Sequence, residues 1–156
     1  MTVTGDDIQL VTFRVGPQEF AFDILQVERI LRHIAPAPLP KAPAFLEGVV
    51  PYEGGAVPVV DLRKRFELPA PVREETRLMV VDLGEQRAGV LVDEVREVIR
   101  VDSTTITAPG PMVRGLAAAY IAGIITRPER TIIILNARKL LSSTERLALT
   151  AMGSAS

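Results

Sequence analysis

The chain has 156 residues, enough for one domain with a sizeable core of its own. Hydrophobic residues make up 47% of the chain, and 18 Lys and Arg against 19 Asp and Glu leave a net charge of −1, which argues against a broad nucleic-acid-binding surface. The absence of cysteine and the single histidine, His33, exclude disulfides, thiolate nucleophiles and multi-histidine metal sites.

The amino-terminal residues show no export signal. Residues 1–9 contain Asp6 and Asp7 and no apolar stretch. The longest apolar run, residues 116–125, is about half the length that crosses a bilayer. We therefore expect a cytoplasmic protein that does not insert into the membrane.

A strand–turn–strand pattern follows from Leu10 onward. Gly16-Pro17 separates two runs of β-branched and aromatic residues, which is typical of a hairpin turn. After the second run, Asp23 is a candidate N-cap for a short helix over Ile24 to Arg32. Residues 35–43, with the sequence APAPLPKAP, then predict an extended connector.

Residues 45–66 predict two further strands and a short helix. The run Val57 to Val60 is apolar throughout, which is typical of a strand buried on both faces, although Pro58 favours an edge or a strand start. Asp61 is a candidate N-cap of the helix, and we interpret the basic cluster Arg63-Lys64-Arg65 as its solvated face. Residues 68–75 form the junction that follows.

The second part of the chain repeats the first in the same order. Leu10–Arg32 aligns without a gap on Leu78–Arg100 at an offset of 68 residues, and Phe45–Phe66 aligns on Tyr120–Leu141 at an offset of 75. Asn136 takes the place of the capping aspartate and opens a C-terminal helix that reaches to about Leu149. Such a repeat predicts two structurally similar halves.

Many short strands with regular turn signals predict a mainly β protein with two barrel-like halves. We expect a single domain over residues 8–150, with one half at about 8–70 and the other at 76–150. The C-terminal helix would pack across both halves. Residues 151–156 are small and polar, and we expect a disordered tail.

Five motifs follow one another between Gln9 and Leu149. They are FxxDILxVxxIxR from Phe20, AFLEGVV from Ala44, VPVVDLRKRF from Val57, GVLVDEVxEVIRV from Gly89 and YIAGI…IILNARKLL from Tyr120. In this order and spacing they resemble the CheW-like coupling proteins of bacterial chemosensory systems. The resemblance implies two pseudo-symmetric five-stranded SH3-like β-barrels, with no catalytic residue and no cofactor.

The resemblance also implies the partners. Members of this family link the cytoplasmic hairpin of a methyl-accepting chemoreceptor to the regulatory domain of a CheA-type histidine kinase. The chain would then be a free-standing adaptor of two-component signalling, recruited to receptor arrays at the membrane. No nucleic acid and no small-molecule substrate would be bound.

A receptor-binding groove between the two halves is a further implication of the resemblance. The positions carried over are Val27, Ile30, Gly48, Gly89, Val95 and Val98. Apolar β-branched side chains, and glycines that allow close approach, suit the docking of a helix. The alternative is that these residues simply belong to the core.

Two positions depart from the usual pattern of the family. Its members commonly have Asn-Leu-Arg-Gly where this chain has Pro51-Tyr52-Glu53-Gly54, and Glu where it has Arg29. Because each change reverses a charge, we expect Arg29 and Glu53 to form an ion pair of exchanged polarity. Partners tuned to the usual polarity would then bind poorly, which predicts a specialised pathway. The alternative is two unrelated surface charges.

Three other functions agree with parts of the sequence. A divergent paralogue of the same family would bind only the receptor or only the kinase. A hydrolase could use Asp61 or Asp93 with His33, although Asp61 has the position of a helix cap and His33 precedes the connector. A nucleic-acid-binding barrel would need clustered basic residues with stacking aromatics, whereas aromatic residues are 4% of the chain.

Overall fold

The described part of the structure consists mostly of β-strands. The computed structural model describes residues 6–84, 86–108 and 120–141 and the single positions 145 and 148. Its strands are β1 (Asp7–Val15), β2 (Gln18–Asp23), β3 (Val27–Arg32), β4 (Gly48–Tyr52), β5 (Gly55–Asp61), β6 (Arg77–Asp82), β7 (Arg87–Val92), β8 (Glu94–Asp102), β9 (Ile121–Arg127) and β10 (Arg130–Leu135). The helical elements are α1 (Leu62–Arg65) and three 3-10 turns, Ile24–Gln26, Ser103–Thr105 and Ala137–Lys139.

These strands form two five-stranded sheets. Sheet A has the strand order β8-β1-β2-β10-β9, and sheet B has the order β3-β6-β7-β5-β4. Neighbouring strands are antiparallel except for the parallel pairs β2–β10 and β5–β7. The predicted mainly β fold with two similar five-stranded units is confirmed.

The internal repeat relates the two sheets strand by strand. The two offsets convert β1 to β5 into β6 to β10, and they convert the strand order of sheet A into that of sheet B. The predicted halves at residues 8–70 and 76–150 do not coincide with the two sheets, which corrects that division. Sheet B contains every strand from Val27 to Val92, whereas sheet A combines Asp7–Asp23 with Glu94–Leu135, because the first hairpin of each repeat pairs with the last three strands of the other.

Each sheet packs apolar side chains on both faces of its central strands. Sheet B has its own apolar cluster, which includes Leu78 and Val80, and sheet A has an equivalent one. Met79 and Val81, which alternate with those residues along β6, belong instead to a larger cluster shared by both sheets. Successive side chains of a strand point to opposite faces, so this alternation places the shared core between the sheets. Because both faces of the central strands pack against apolar clusters, the sequences of these strands are continuous apolar runs.

The predicted helix over Ile24 to Arg32 is wrong. Asp23 acts as the expected cap, since its carboxylate accepts a hydrogen bond from the backbone N–H of Leu25 at 2.9 Å. The 3-10 turn nevertheless ends at Gln26, and β3 follows directly. A 3-10 turn of this kind is common as a connector between longer elements.

A β-bulge accounts for the helix-like apolar spacing in β3. Val27 is opposite Val81 and Arg29 is opposite Val80, so the intervening Glu28 is the extra residue of the bulge. One extra residue shifts the alternation by one position, and side chains three apart then share a face. The i, i+3 pattern of Val27 and Ile30 arises in this way from a strand.

The predicted caps of the two later helical elements are present. Asp61 accepts a hydrogen bond from the N–H of Arg63, and Asn136 accepts one from the N–H of Arg138, each at 3.0 Å. Beyond the turn Ala137–Lys139, most of the predicted C-terminal helix lies outside the described residues. The predicted tail at 151–156 also lies outside them.

The basic cluster at the start of α1 is not a solvated face, as the sequence interpretation had it. Lys64 is exposed, but the side chain of Arg63 is only 1% exposed, and Arg65 pairs with Glu145. The guanidinium of Arg63 donates hydrogen bonds to both carboxylate oxygens of Asp61 at 3.0 Å. It therefore lies in the interior as one member of a buried ion pair.

Arg63 also reaches the corner where the chain passes from sheet B to sheet A. It donates to Asp93 Oδ1 at 3.1 Å and to the carbonyl oxygen of Pro71 at 2.6 Å, while Asp93 Oδ2 accepts from the N–H of Gly16 at 2.6 Å. Burial disfavours the charged guanidinium, but the hydrogen bonds to Asp61 and Asp93 outweigh it and raise the pKa of Arg63. The two aspartates considered for a hydrolase thus hold this arginine.

Candidate protein-binding site

Strand β3, at one edge of sheet B, borders the shared core with two predicted groove residues. Val27 is opposite Val81 and Ile30 is opposite Met79. Residues directly opposite each other project from the same face of a sheet. Because Val81 and Met79 belong to the shared cluster, Val27 and Ile30 also project toward the space between the sheets.

Strand β8 repeats this arrangement at the edge of sheet A. Val95 is opposite Phe13 and Val98 is opposite Val11, and both partners belong to the shared cluster. Arg96 is the extra residue of a bulge, equivalent to that of β3. The repeat therefore places two equivalent apolar pairs on the two edge strands.

The four apolar residues differ in how far they are covered. Val27 and Val95 are half-buried against the shared cluster. Ile30 is 39% exposed and Val98 is 54% exposed. The structure thus brings four of the six predicted groove residues to the margins of one core and leaves apolar surface free on each edge strand.

Gly48 and Gly89 do not line such a surface, which corrects their predicted place. Both are buried. A Cβ on Gly48 would lie 2.4 Å from the carbonyl oxygen of Ala37, and one on Gly89 would lie 2.8 Å from a methyl carbon of Leu78. The space that a partner helix would need is therefore filled by this chain, and the two glycines permit its own close packing.

The predicted ion pair between Arg29 and Glu53 is present. Its Nη2 and Oε1 atoms lie 3.7 Å apart, and the two side chains are 57% and 45% exposed. Glu53 also lies 3.5 Å from Arg87, which pairs with Glu28 at 2.8 Å. The pair is thus one end of a four-charge network, Glu28–Arg87–Glu53–Arg29, which we call network B.

Network B is positioned by the tight turn between β4 and β5. Glu53 and Gly54 both have positive φ, 47° and 79°, as a two-residue type I′ hairpin turn requires. The guanidinium groups of Arg29 and Arg87 lie 5.9 and 5.8 Å from the ring centre of Tyr52. Burial, with the nearby charges of Glu28 and Glu53, raises the pKa of the Tyr52 hydroxyl.

A second four-charge network, network A, lies on sheet A. Arg96 is 3.8 Å from Glu19, Arg130 Nε donates to Glu19 Oε1 at 2.6 Å, and Arg130 Nη1 is 2.7 Å from Glu97. The hydrogen bond from Arg130 is the main reason why the pKa of Glu19 is lowered. Sequence reasoning missed this network. The signal was present in the repeat, which aligns Glu19 with Arg87 and Arg96 with Glu28, both members of network B.

Two further properties bear on what this site can do. The described residues contain no group of three or more His, Asp or Glu side chains placed to hold a metal ion. In the same part of the chain, no helix combines the length and the apolar character needed to cross a membrane. The arrangement offers apolar edges and charged rims, which are the features of a protein-binding surface.

One protein family and several known proteins are similar to this chain. The CheW-like domain family matches residues 9–145. The chain is 29% identical to the chemotaxis protein CheW of Treponema pallidum over 93% of this chain and 88% of that one. It is 32% identical to the protein FrzA of Myxococcus xanthus over 87% and 86% of the two chains. The crystal structure of the scaffolding protein TtCheW from Thermoanaerobacter tengcongensis superposes with a TM-score of 0.79 at 28% identity, covering 93% of this chain and 92% of that one.

Proposed function

Because the chain belongs to the CheW-like domain family, we propose that it is a non-catalytic adaptor that links a methyl-accepting chemoreceptor to a CheA-type histidine kinase. The family match spans residues 9–145, and relatives of similar length are chemotaxis proteins named CheW. The description of the structural neighbour as a scaffolding protein supports a role without turnover. In this role the chain works in the cytoplasm and is recruited to receptor arrays.

The observation that carries the proposal is the exposed apolar surface on the two edge strands. Ile30 and Val98 lie at equivalent positions of the repeat and project from the faces that enclose the shared core. An amphipathic helix docks by laying its apolar face on such a surface. We assign the cytoplasmic hairpin of the receptor to the margin formed by Val27, Ile30, Val95 and Val98.

A second candidate function is a paralogue that binds only one of the two partners. The observation that favours it is the exposed ion pair Arg29–Glu53, whose polarity the family resemblance implies to be exchanged. A partner tuned to the usual polarity would face like charges at this place. The chain would then serve a specialised pathway with receptor and kinase of its own.

Binding of each partner in isolation tests the proposed function. The immobilised chain is titrated with the cytoplasmic fragment of a methyl-accepting chemoreceptor and, separately, with the regulatory domain of a CheA-type histidine kinase. We expect both to bind, and we expect receptor control of kinase autophosphorylation to require the chain. Binding of one partner alone would identify the single-partner paralogue. Binding of neither would contradict the proposal.

Reversal of the surface ion pair is expected to weaken partner binding. Arg29→Glu or Glu53→Arg places like charges together, and each is expected to raise the Kd for the partner that contacts the pair about tenfold. The double exchange restores the attraction between positions 29 and 53 and the folding behaviour, but it presents reversed charges to the partner, so the affinity should stay low. The free energy of unfolding is expected to change by less than about 1 kcal/mol, because the pair is exposed.

The matched control for this charge series is a second exposed pair. Arg100 and Asp7 lie 3.8 Å apart with side chains 65% and 67% exposed. Asp7→Arg, at the member of this pair that lies on β1 and not on an edge strand, should leave the affinity for both partners unchanged. Equal affinities for all four variants at positions 29 and 53 would show that this pair has no part in partner choice.

A further inference from the structure

The chain passes between the two sheets at two equivalent places. After β2 it leaves sheet A through the turn Ile24–Gln26 and enters sheet B at β3, and after β7 it returns through Asp93 to β8 in sheet A. The offset of 68 residues aligns Leu25 of the first crossing with Asp93 of the second. Each crossing leads directly into an edge strand that carries one apolar pair of the proposed receptor contact.

Asp93 joins the two sheets through its two carboxylate oxygens. Oδ1 accepts a hydrogen bond at 3.1 Å from Nη1 of Arg63, which belongs to α1 at the end of β5 in sheet B. Oδ2 accepts one at 2.6 Å from the N–H of Gly16, in the β1–β2 turn of sheet A. Hydrogen bonds to a carboxylate are directional and about twice as strong as neutral ones. A single side chain therefore ties the sheets together beside the start of β8.

The aligned residue of the first crossing cannot make such a link. The side chain of Leu25 carries no polar atom and is 86% exposed. Gly84, the counterpart of Gly16 in the repeat, donates its N–H at 2.7 Å to Asp82 of its own turn. Of the two aligned crossing residues, only Asp93 has a side chain that accepts hydrogen bonds.

Gln26 holds the first crossing in a different way. Its side-chain amide donates to Asn136 Oδ1 and accepts from the N–H of Ala137, both at 3.3 Å. Both partners follow β10 and so belong to sheet A, the sheet that the chain leaves at this crossing. These bonds are neutral and longer than those of Asp93, and hence weaker. The two crossings are thus held unequally.

We propose that Asp93 is a positioning residue for receptor binding, an inference that rests on the proposed function. The two apolar pairs of the contact lie on different sheets, one on β3 and one on β8, so their spacing depends on how the sheets are placed relative to each other. The shared core between the sheets is apolar, and hydrophobic attraction is non-directional. Asp93 adds directional contacts two residues before Val95. Supporting contacts of this kind hold a binding site to within about 0.5 Å.

Asp93→Asn breaks half of the link without removing the side chain. An amide has one acceptor oxygen, so it accepts from Arg63 or from Gly16 and turns its own N–H hydrogens toward the other donor. The fold is expected to tolerate the change, because the side chain of Asp93 is 26% exposed. The receptor fragment should bind this variant about tenfold more weakly. Asp93→Glu keeps both oxygens on a longer side chain and should bind the receptor more tightly than Asp93→Asn does.

A distance between the edge strands reports the positioning without any partner. The chain contains no cysteine, so Arg32→Cys on β3 and Arg100→Cys on β8 allow two spin labels to be attached specifically. Both side chains are exposed, and the two positions are equivalent in the repeat. Double electron–electron resonance of the labelled full chain should give one narrow distance distribution. Adding Asp93→Asn should shift or broaden it.

Ile132→Val is the control for a loss of stability alone. Ile132 is fully buried in the apolar cluster of sheet A, and its substitution destabilises the fold by removing a methyl group within that sheet. At temperatures where the chain is folded, it should change neither the distance distribution nor the receptor affinity.

A distance distribution of the Asp93→Asn chain equal to that of the unchanged chain would overturn the proposal. An unchanged receptor affinity in a chain whose distance distribution had changed would overturn it as well, and so would an equal loss of affinity in Ile132→Val. Failure of the unsubstituted chain to bind the receptor fragment is a different result, seen before any substitution is made, and it would contradict the proposed function itself.

Discussion

Replacement of Arg63 by leucine is expected to lower the free energy of unfolding by about 3–5 kcal/mol, the usual cost of leaving one partner of a buried ion pair unpaired. The side chains of Arg63 and Asp61 are 1% and 3% exposed. Without the guanidinium, the Asp61 carboxylate loses its ionic partner in the interior, and the Pro71 carbonyl oxygen loses a 2.6 Å hydrogen bond. The corner between the sheets at Asp93 is loosened as well.

Urea unfolding of the full chain measures this effect, and the neighbouring residue supplies the control. Lys64 belongs to the same helix and pairs with Glu47 at 2.6 Å, but its side chain is 58% exposed. Lys64→Leu should therefore cost no more than about 1 kcal/mol. If the two substitutions destabilised the chain equally, burial of the Arg63 ion pair would have no special role.

Replacement of Val98 by aspartate is expected to weaken receptor binding by about thirtyfold, or about 2 kcal/mol, because a charge replaces apolar surface at the contact. Ile30→Asp should have a similar effect, since Ile30 is the equivalent residue of the other edge strand. Both side chains are already partly in solvent, at 54% and 39% exposure. The fold is therefore expected to tolerate the substitutions.

Titration with the receptor fragment measures the loss, with Val72→Asp as the matched control. Val72 is also an exposed valine, at 61%, but it lies in the junction after α1 and not on an edge strand. Its substitution should leave the affinity unchanged. An unchanged affinity of the Val98 variant, with unfolding as in the unchanged chain, would remove the edge strands from the receptor contact.

Local patterns in the sequence predicted the strands, but they did not predict which strands belong to which of the two sheets. The gapless repeat, with Gly16 and Gly84 at equivalent turns, correctly indicated two similar five-stranded units. Residues 68–75 looked like the boundary because the repeat restarts just after them, at Leu78. The pairing of β1 with β8 over about 85 residues of sequence is non-local, as in the hydrogen bond from Thr12 Oγ1 to the Glu97 carbonyl oxygen, and no local propensity records it.

The candidate site was predicted in part for similar reasons. Val27, Ile30, Val95 and Val98 lie on the edge strands, but Val27 and Ile30 were placed in a predicted helix, and the bulges that give both edge strands an apolar spacing of three were not foreseen. Gly48 and Gly89 were misplaced, since a glycine needed for internal packing looks the same in a sequence as one needed for a partner.

The burial of Arg63 in the basic cluster of α1 could not be predicted from the sequence either. Charged residues are rarely fully buried, so Arg63, Lys64 and Arg65 were all interpreted as solvated. Arg63 is buried because Asp61, two residues earlier, and Asp93, thirty residues later, supply its carboxylate partners. Only the fold brings Asp93 to that place.

The interleaving of the two sheets determines the order in which they can be completed during synthesis. Every strand of sheet B lies between Val27 and Val92, so this sheet is whole once that stretch has left the ribosome. The β1–β2 hairpin emerges before sheet B but must wait for β8, β9 and β10, which follow sheet B along the chain. Its apolar face, with Phe13 and Phe22, can meet the nascent sheet B long before its own sheet exists. The β1–β2 hairpin is therefore translated before sheet B but gains its full set of neighbours after it.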